Sequence, residues 1–189
     1  CAFLFILTYN SEILCKFASK AFGSQKSKDK FESLIEHYLG NPKSPMRNDH
    51  TYLLFIKDII ASPCIDDVEK ERWTFKYKQT NKNLPGNTAI DFKWKDEKGM
   101  GHQLNEYKNQ KVILYFYDPD CENCHKITAW LNKQTIPEDI QLLRIHADDK
   151  ISDLYSLRAM PTIYLLDKNN KVILKDCSPE LLISEINKK

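Results

Sequence analysis

The chain has 189 residues, enough for one large domain or for a domain of about a hundred residues with an appendage. Its 28 basic and 26 acidic residues leave a formal charge of +2, and with no basic run this gives no electrostatic footprint for nucleic acid. Glycine and proline are not enriched, no internal repeat is visible and no apolar run reaches the length of a membrane span, which argues against disorder, solenoids and membrane-spanning helices.

Residues 2–22 read as a helix, with Phe3, Leu7, Leu14, Phe17, Ala18 and Ala21 apolar. The first residue is Cys1 rather than Met, so a fragment or processed form is expected, its opening helix missing an upstream partner. A membrane link is expected only through a lipid anchor at Cys1 or a segment upstream of it. Asp29 to Leu39 reads as a second helix, with Phe31, Leu34, Ile35, Tyr38 and Leu39 on one face. Gly40 stands at the C-cap position and Pro42 just beyond. Asp49 to Ala61 is a third helix with a broad apolar face, stopped by Ser62-Pro63, and Asp66 to Lys78 a fourth, more charged one. Asn81 to Asn87, containing Leu84-Pro85-Gly86, reads as a linker. Residues 1–82 are thus expected to form an all-α region and residues 83–189 a second domain. Nothing in the first region suggests catalysis. His37 and His50 are expected to be ordinary surface residues, and the lone Cys15, Cys64 and Cys177 to be small hydrophobes.

The second half alternates. Strands are expected at about 89–95, 111–117, 140–146, 161–166 and 171–174, with a turn near Lys98-Gly99 and a short strand or turn at 100–104. Helices are expected at 121–134, 149–157 and 178–187. The fold class is α/β, a mixed central sheet with flanking helices, preceded by the all-α region.

Cys121 and Cys124 open the helix that follows the apolar strand Val112 to Tyr117, after the break Asp118-Pro119-Asp120. The N–H groups at a helix start favour an anion, hence a thiolate on Cys121, and Cys124 lies one turn along, close enough to close a disulfide. The pair can therefore cycle between dithiol and disulfide. Three other uses of such a pair are weaker. A structural zinc site needs four ligands, and beyond Cys121, Cys124 and His125 or His146 no second ligand pair at zinc spacing follows. Cys121-Glu122-Asn123-Cys124-His125 also spells a c-type haem attachment site, but it follows a buried strand and β-type segments follow its helix. A peroxidatic cysteine would want Pro and Thr upstream where Leu114 and Asp118 stand.

Downstream, Ala159-Met160-Pro161-Thr162 opens a strand, and Asp167-Lys168-Asn169-Asn170 turns into another. A Cys-x-x-Cys at a strand-to-helix junction followed by apolar-Pro-Thr before a β-hairpin resembles the thioredoxin superfamily. With Ala89-Ile90-Asp91-Phe92, Gly99, Leu104 and Tyr107 upstream, residues 86–189 resemble the periplasmic thiol-disulfide oxidoreductases related to bacterial cytochrome-maturation reductases. The string Tyr38 to Asn48 resembles the helical region preceding such a domain in proteins of Bacteroides-type bacteria. Ile90 stands for the usual Pro, Asp120 for the usual Trp before the first cysteine, and Tyr115 for the buried acid six residues before Cys121.

The resemblance implies a thioredoxin-like fold and a thiol-disulfide oxidoreductase of the periplasm or cell envelope, needing no cofactor and no metal. Cys121 would attack, Cys124 would resolve, and Pro161 would be cis and lie against Cys121, with Tyr117, Asp118, Pro119 and Met160 lining the substrate groove. The partners would be protein disulfides or dithiols and a redox partner. Asp118, Asp120 and Glu122 crowd Cys121 and weigh the pair toward a reductant or a near-neutral exchanger. The alternative from another class is a non-catalytic binding module whose helical half docks an envelope partner.

Overall fold

The computed structural model describes residues 24–42, 44–63 and 65–188. The expected helix over 2–22, together with Cys1, Cys15 and Cys64, lies outside them. The chain divides into two compact units, Cys1–Asn81 and Lys82–Lys189.

In the first unit, helix α1 (Gln25–Ile35) starts on Ser24, whose side chain accepts from the Ser27 N–H, and runs into a π-helical turn, Glu36–Gly40. Helix α2 (Asp49–Ala61) is capped by Asn48, and α3 (Asp67–Asn81) by the Asp66 carboxylate on the Glu69 N–H. The apolar faces meet in one core of Phe31, Ile35, Leu39, Tyr52, Phe55, Ile56, Ile59 and Trp73. Gly40 does not serve as a left-handed cap. Its φ is not positive, and a Cβ there would meet the Tyr52 ring at 2.7 Å, so glycine is required for close approach.

The second unit is built on a four-stranded sheet ordered β4-β3-β5-β6: β3 (Lys111–Tyr117), β4 (Ile140–His146), β5 (Thr162–Leu166) and β6 (Val172–Leu174). β3 pairs parallel with β4 and antiparallel with β5, which pairs antiparallel with β6. A two-stranded hairpin, β1 (Lys93–Lys95) and β2 (Gly101–Gln103), stands apart from it. Residues 113–116 are buried on both faces of the central strand, which is why its sequence is apolar throughout rather than alternating. Val112, Leu114 and Phe116 join one core with Phe92, Tyr155 and Tyr164, on the side of helix α5 (Asp149–Tyr155). Ile113 and Tyr115 join the other with Leu131, Leu182 and Ile186, under helices α4 (Glu122–Leu131) and α6 (Pro179–Ile186).

The expected strand at 89–95 shrinks to its last three residues. The Ala89 N–H donates to the Asn170 carbonyl and the Ile90 N–H to the Asn83 side chain, so this stretch is anchored without joining a ladder. The expected short strand or turn at 100–104 is β2 followed by a 3-10 turn, Leu104–Tyr107, in which Gln103 and Glu106 form a capping box.

Candidate active site

The C-terminal end of β3 delivers the chain to the site. The Asp118 carboxylate accepts from the Asp120 N–H at 2.9 Å, and the Asp118 carbonyl from the Cys121 N–H at 3.2 Å. This tight turn swings Cys121 into the N-cap position of α4, where its sulfur accepts from the Cys124 N–H at 3.2 Å. A sulfur accepting a helix N–H at this point sits where negative charge is stabilised. Cys121 is half-buried, whereas Cys124, one turn in, is 1% exposed. Burial pushes the Cys124 thiol up to about 11.

From the opposite side comes the segment before β5. The Met160–Pro161 peptide bond is cis, and the Met160 carbonyl stands 3.7 Å from the Cys121 sulfur. Thr162 closes the approach by donating its hydroxyl to the Ala159 carbonyl at 2.7 Å. Cys121 and Met160 thus meet from two elements far apart in sequence, with Cys124 buried behind Cys121. Asp118 stays in the turn that positions Cys121, and Pro119 is exposed beside it. Tyr117 is half-buried at the strand end, and its hydroxyl donates to the Glu97 carboxylate at 3.2 Å, joining the β1–β2 turn to β3.

The sequence marked Tyr115 only as a departure. In the structure it is fully buried beneath α4; its hydroxyl donates to the Cys124 carbonyl at 2.9 Å and stands 3.0 Å from Thr128 Oγ1. Thr128 had a legible signal, since a threonine four residues after Cys124 sits over that carbonyl on a helix. Glu97 had none: its partner is brought to it by the tertiary fold. Among the described residues no group of three or more His, Cys, Asp or Glu side chains converges as a metal site would require.

A thiol at a helix start, a buried second thiol one turn along and a carbonyl against the first sulfur can together perform nucleophilic exchange at sulfur. Residues 85–173 match the AhpC/TSA family model. The second unit has a thioredoxin-like fold. Residues 8–83 match a domain of unknown function, DUF5106. A thioredoxin-like protein from Bacteroides caccae shares the fold at TM-score 0.82 and 24% identity, over 93% of this chain and 75% of that one. The C-terminal domain of a Bacteroides fragilis protein matches at TM-score 0.52 and 23% identity, over 57% of this chain and 99% of that one. Among curated proteins, the thiol-disulfide oxidoreductase ResA of Geobacillus thermodenitrificans is 24% identical over 115 residues, covering 46% of this chain. The match spans 66% of that relative's length, just under two thirds.

Proposed function

We propose that the thioredoxin-like domain is a thiol-disulfide oxidoreductase working through Cys121 and Cys124. The observation that carries this is the asymmetry of the pair: a half-buried sulfur accepting the Cys124 N–H at 3.2 Å, and a second thiol 1% exposed behind it. The Cys121 thiolate attacks one sulfur of a substrate disulfide. That S–S bond breaks, the departing sulfur takes up a proton, and a mixed disulfide forms on Cys121. Cys124 then loses its proton and attacks the Cys121 sulfur, the mixed disulfide breaks, and the substrate leaves as a dithiol while the pair is oxidised by two electrons. No cofactor is needed, because both electrons move within S–S bonds, and a dithiol redox partner returns the pair to its reduced form.

The substrates on this reading are protein disulfides presented at the groove formed by Tyr117, Asp118, Pro119 and Met160, with the Met160 backbone beside the reacting sulfur. The compartment proposed is the periplasm or cell envelope, where disulfides persist. Among the described residues no helix is long and apolar enough to cross a membrane. The helical unit is proposed to be dispensable for the chemistry, since every residue assigned to the reaction lies in the second unit.

Insulin reduction with dithiothreitol as electron donor tests the proposal. The native chain should turn over, Cys121→Ser should abolish turnover, and Cys124→Ser should accumulate mixed disulfides. A native chain that neither reduces insulin nor forms a Cys121–Cys124 disulfide under oxidant would make the domain a non-catalytic scaffold.

A further inference from the structure

Tyr115 lies under the active-site helix with a hydroxyl that has two partners, the Cys124 carbonyl at 2.9 Å and Thr128 Oγ1 at 3.0 Å. A phenol has one proton to give. With that proton on the carbonyl, the second contact is made by the Thr128 hydroxyl donating to the Tyr115 oxygen. Both hydroxyl protons are then committed, and neither group is set to take one from a neighbour. Burial pushes the Tyr115 phenol above its ordinary range, so it stays neutral where thiol exchange operates.

The other groups that act electrostatically here are Cys121 and Asp118, from the turn before α4, and Arg144 on β4, which acts on Tyr115. One Asp118 carboxylate oxygen accepts from the Asp120 N–H, and Asp118 is the carboxylate that acts on the Cys124 thiol.

We propose that Tyr115 and Thr128 form an uncharged latch that holds Cys124 in place for attack and gives its thiol no internal base, so that resolution of a mixed disulfide draws its base from solvent. Tyr115 is on this view a positioning residue, and the inference rests on the exchange chemistry proposed above. The Cys124 thiol gives its proton to hydroxide or a buffer base, the thiolate attacks the Cys121 sulfur, the bond from Cys121 to the substrate breaks, and the electron pair leaves on the substrate sulfur. The Cys121–Cys124 disulfide remains.

The test uses the full chain with Cys1, Cys15, Cys64 and Cys177 replaced by Ala, reduced and then treated with one equivalent of dithiobis(nitrobenzoate). The first thionitrobenzoate released reports formation of the mixed disulfide on Cys121, and the second reports its resolution by Cys124. Resolution should quicken about tenfold per pH unit through the neutral range, because the thiolate fraction of a high-pKa thiol does so. Tyr115→Phe should keep that slope and slow resolution by roughly three- to tenfold, about the worth of one positioning hydrogen bond, while leaving formation unchanged. A tyrosine that merely supports the fold would not separate the two steps. Should Tyr115→Phe fail to fold, Thr128→Val cuts the other half of the latch and is expected to show the same split.

A plateau with an inflection near neutral pH in the native chain would overturn the inference, and its disappearance in Asp118→Asn would assign the base to Asp118. Resolution at the native rate in both latch variants would overturn it as well. If no mixed disulfide forms on Cys121 at all, the exchange chemistry itself falls, and the latch with it.

Discussion

The Cys121 sulfur and the Met160 carbonyl oxygen stand 3.7 Å apart, bringing together the start of α4 and the segment that leads into β5. The approach leaves Cys121 half-buried, with Cys124 turned inward at 1% exposure. Alkylation of the reduced chain with iodoacetamide should therefore mark Cys121 first and reach Cys124 only slowly, by a margin on the order of tenfold or more, until the protein is unfolded. Peptide mapping of the two labels against time checks the order. Faster labelling of Cys124 would reverse the roles assigned to the pair.

Gly40 and Tyr52 make a second close relationship, in the helical unit. An alanine Cβ at position 40 would meet the Tyr52 ring at 2.7 and 2.9 Å. The ring has no easy retreat, being 2% exposed and held by its hydroxyl donating to the Glu36 carboxylate at 2.5 Å. Gly40→Ala should destabilise this unit by about 1–3 kcal/mol, as overpacked sites do. Denaturant titration reads the loss, and an unchanged midpoint would mean that the ring shifts freely.

What could be read from the sequence was whatever local chemistry determines. The apolar run of β3 spans Lys111–Tyr117 because both its faces are covered. Asp49–Ala61 stops at Ser62-Pro63, a break carried by the local sequence. The order strand, acidic turn, cysteine, helix put Cys121 at the start of α4, and the structure makes it the N-cap. Failures came where long-range partners decide. Ala89–Phe92 has strand-like composition, yet the Ala89 N–H goes to the Asn170 carbonyl and the Ile90 N–H to the Asn83 side chain. Gly40 has the local look of a helix stop, but the Tyr52 ring, twelve positions on, decides its role. Tyr115 stood out only as an unexpected residue. Its link to the Cys124 carbonyl needs the strand and helix packed together.

The second unit begins at Lys82, and its first residues are tied in closely. Lys82 donates to the Asp153 carbonyl at 2.6 Å, and the Asn83 side chain both donates to the Leu154 carbonyl at 3.1 Å and accepts from the Ile90 N–H at 2.8 Å. A chain starting at Lys82 should keep insulin reduction at the full-length rate. One starting at Pro85 leaves the half-buried Ile90 N–H and Leu154 carbonyl without these partners and should lose stability, by up to about 1 kcal/mol for each. Folded protein from the Lys82 start without activity would show that the helical unit contributes to the site.

Glu32 gives the helical unit a pH dependence. It is 8% exposed, and burial pushes its carboxyl above the ordinary value, with Lys28 and Arg72 pulling the other way. The unfolded chain ionises this group at the ordinary value, so its contribution to stability is full below that pH and is lost as pH rises through the folded value. Glu32→Gln removes the ionisation. The variant should therefore gain on the native chain as pH rises from about 4 toward neutrality. Thermal melts of the two proteins across that range measure the gap, and a gap that narrows with pH would contradict the assignment.

The thiol of Cys124 sets a window at the alkaline end. Burial is the largest cause of its upward shift from 9.0 to about 11, and the neighbouring Cys121 sulfur and the Asp118 charge add to it. In the unfolded reduced chain Cys124 ionises near 9.0, while the folded chain holds the proton until about 11. The group therefore contributes stability in full below the first value and loses it as pH rises through the second. At about 1.36 kcal/mol per pKa unit, the loss across this window is on the order of 2–3 kcal/mol. Other groups titrate there too, so the useful comparison is with Cys124→Ala, which keeps them all. The variant should be less stable near neutral pH, because a buried side chain is cut back, yet its stability should fall less steeply between pH 9 and 11 than that of the reduced native chain. Denaturant midpoints under reducing conditions give both slopes. Parallel curves would mean that Cys124 ionises at the same pH folded and unfolded, and the picture of a sheltered second thiol would be lost with the slope difference.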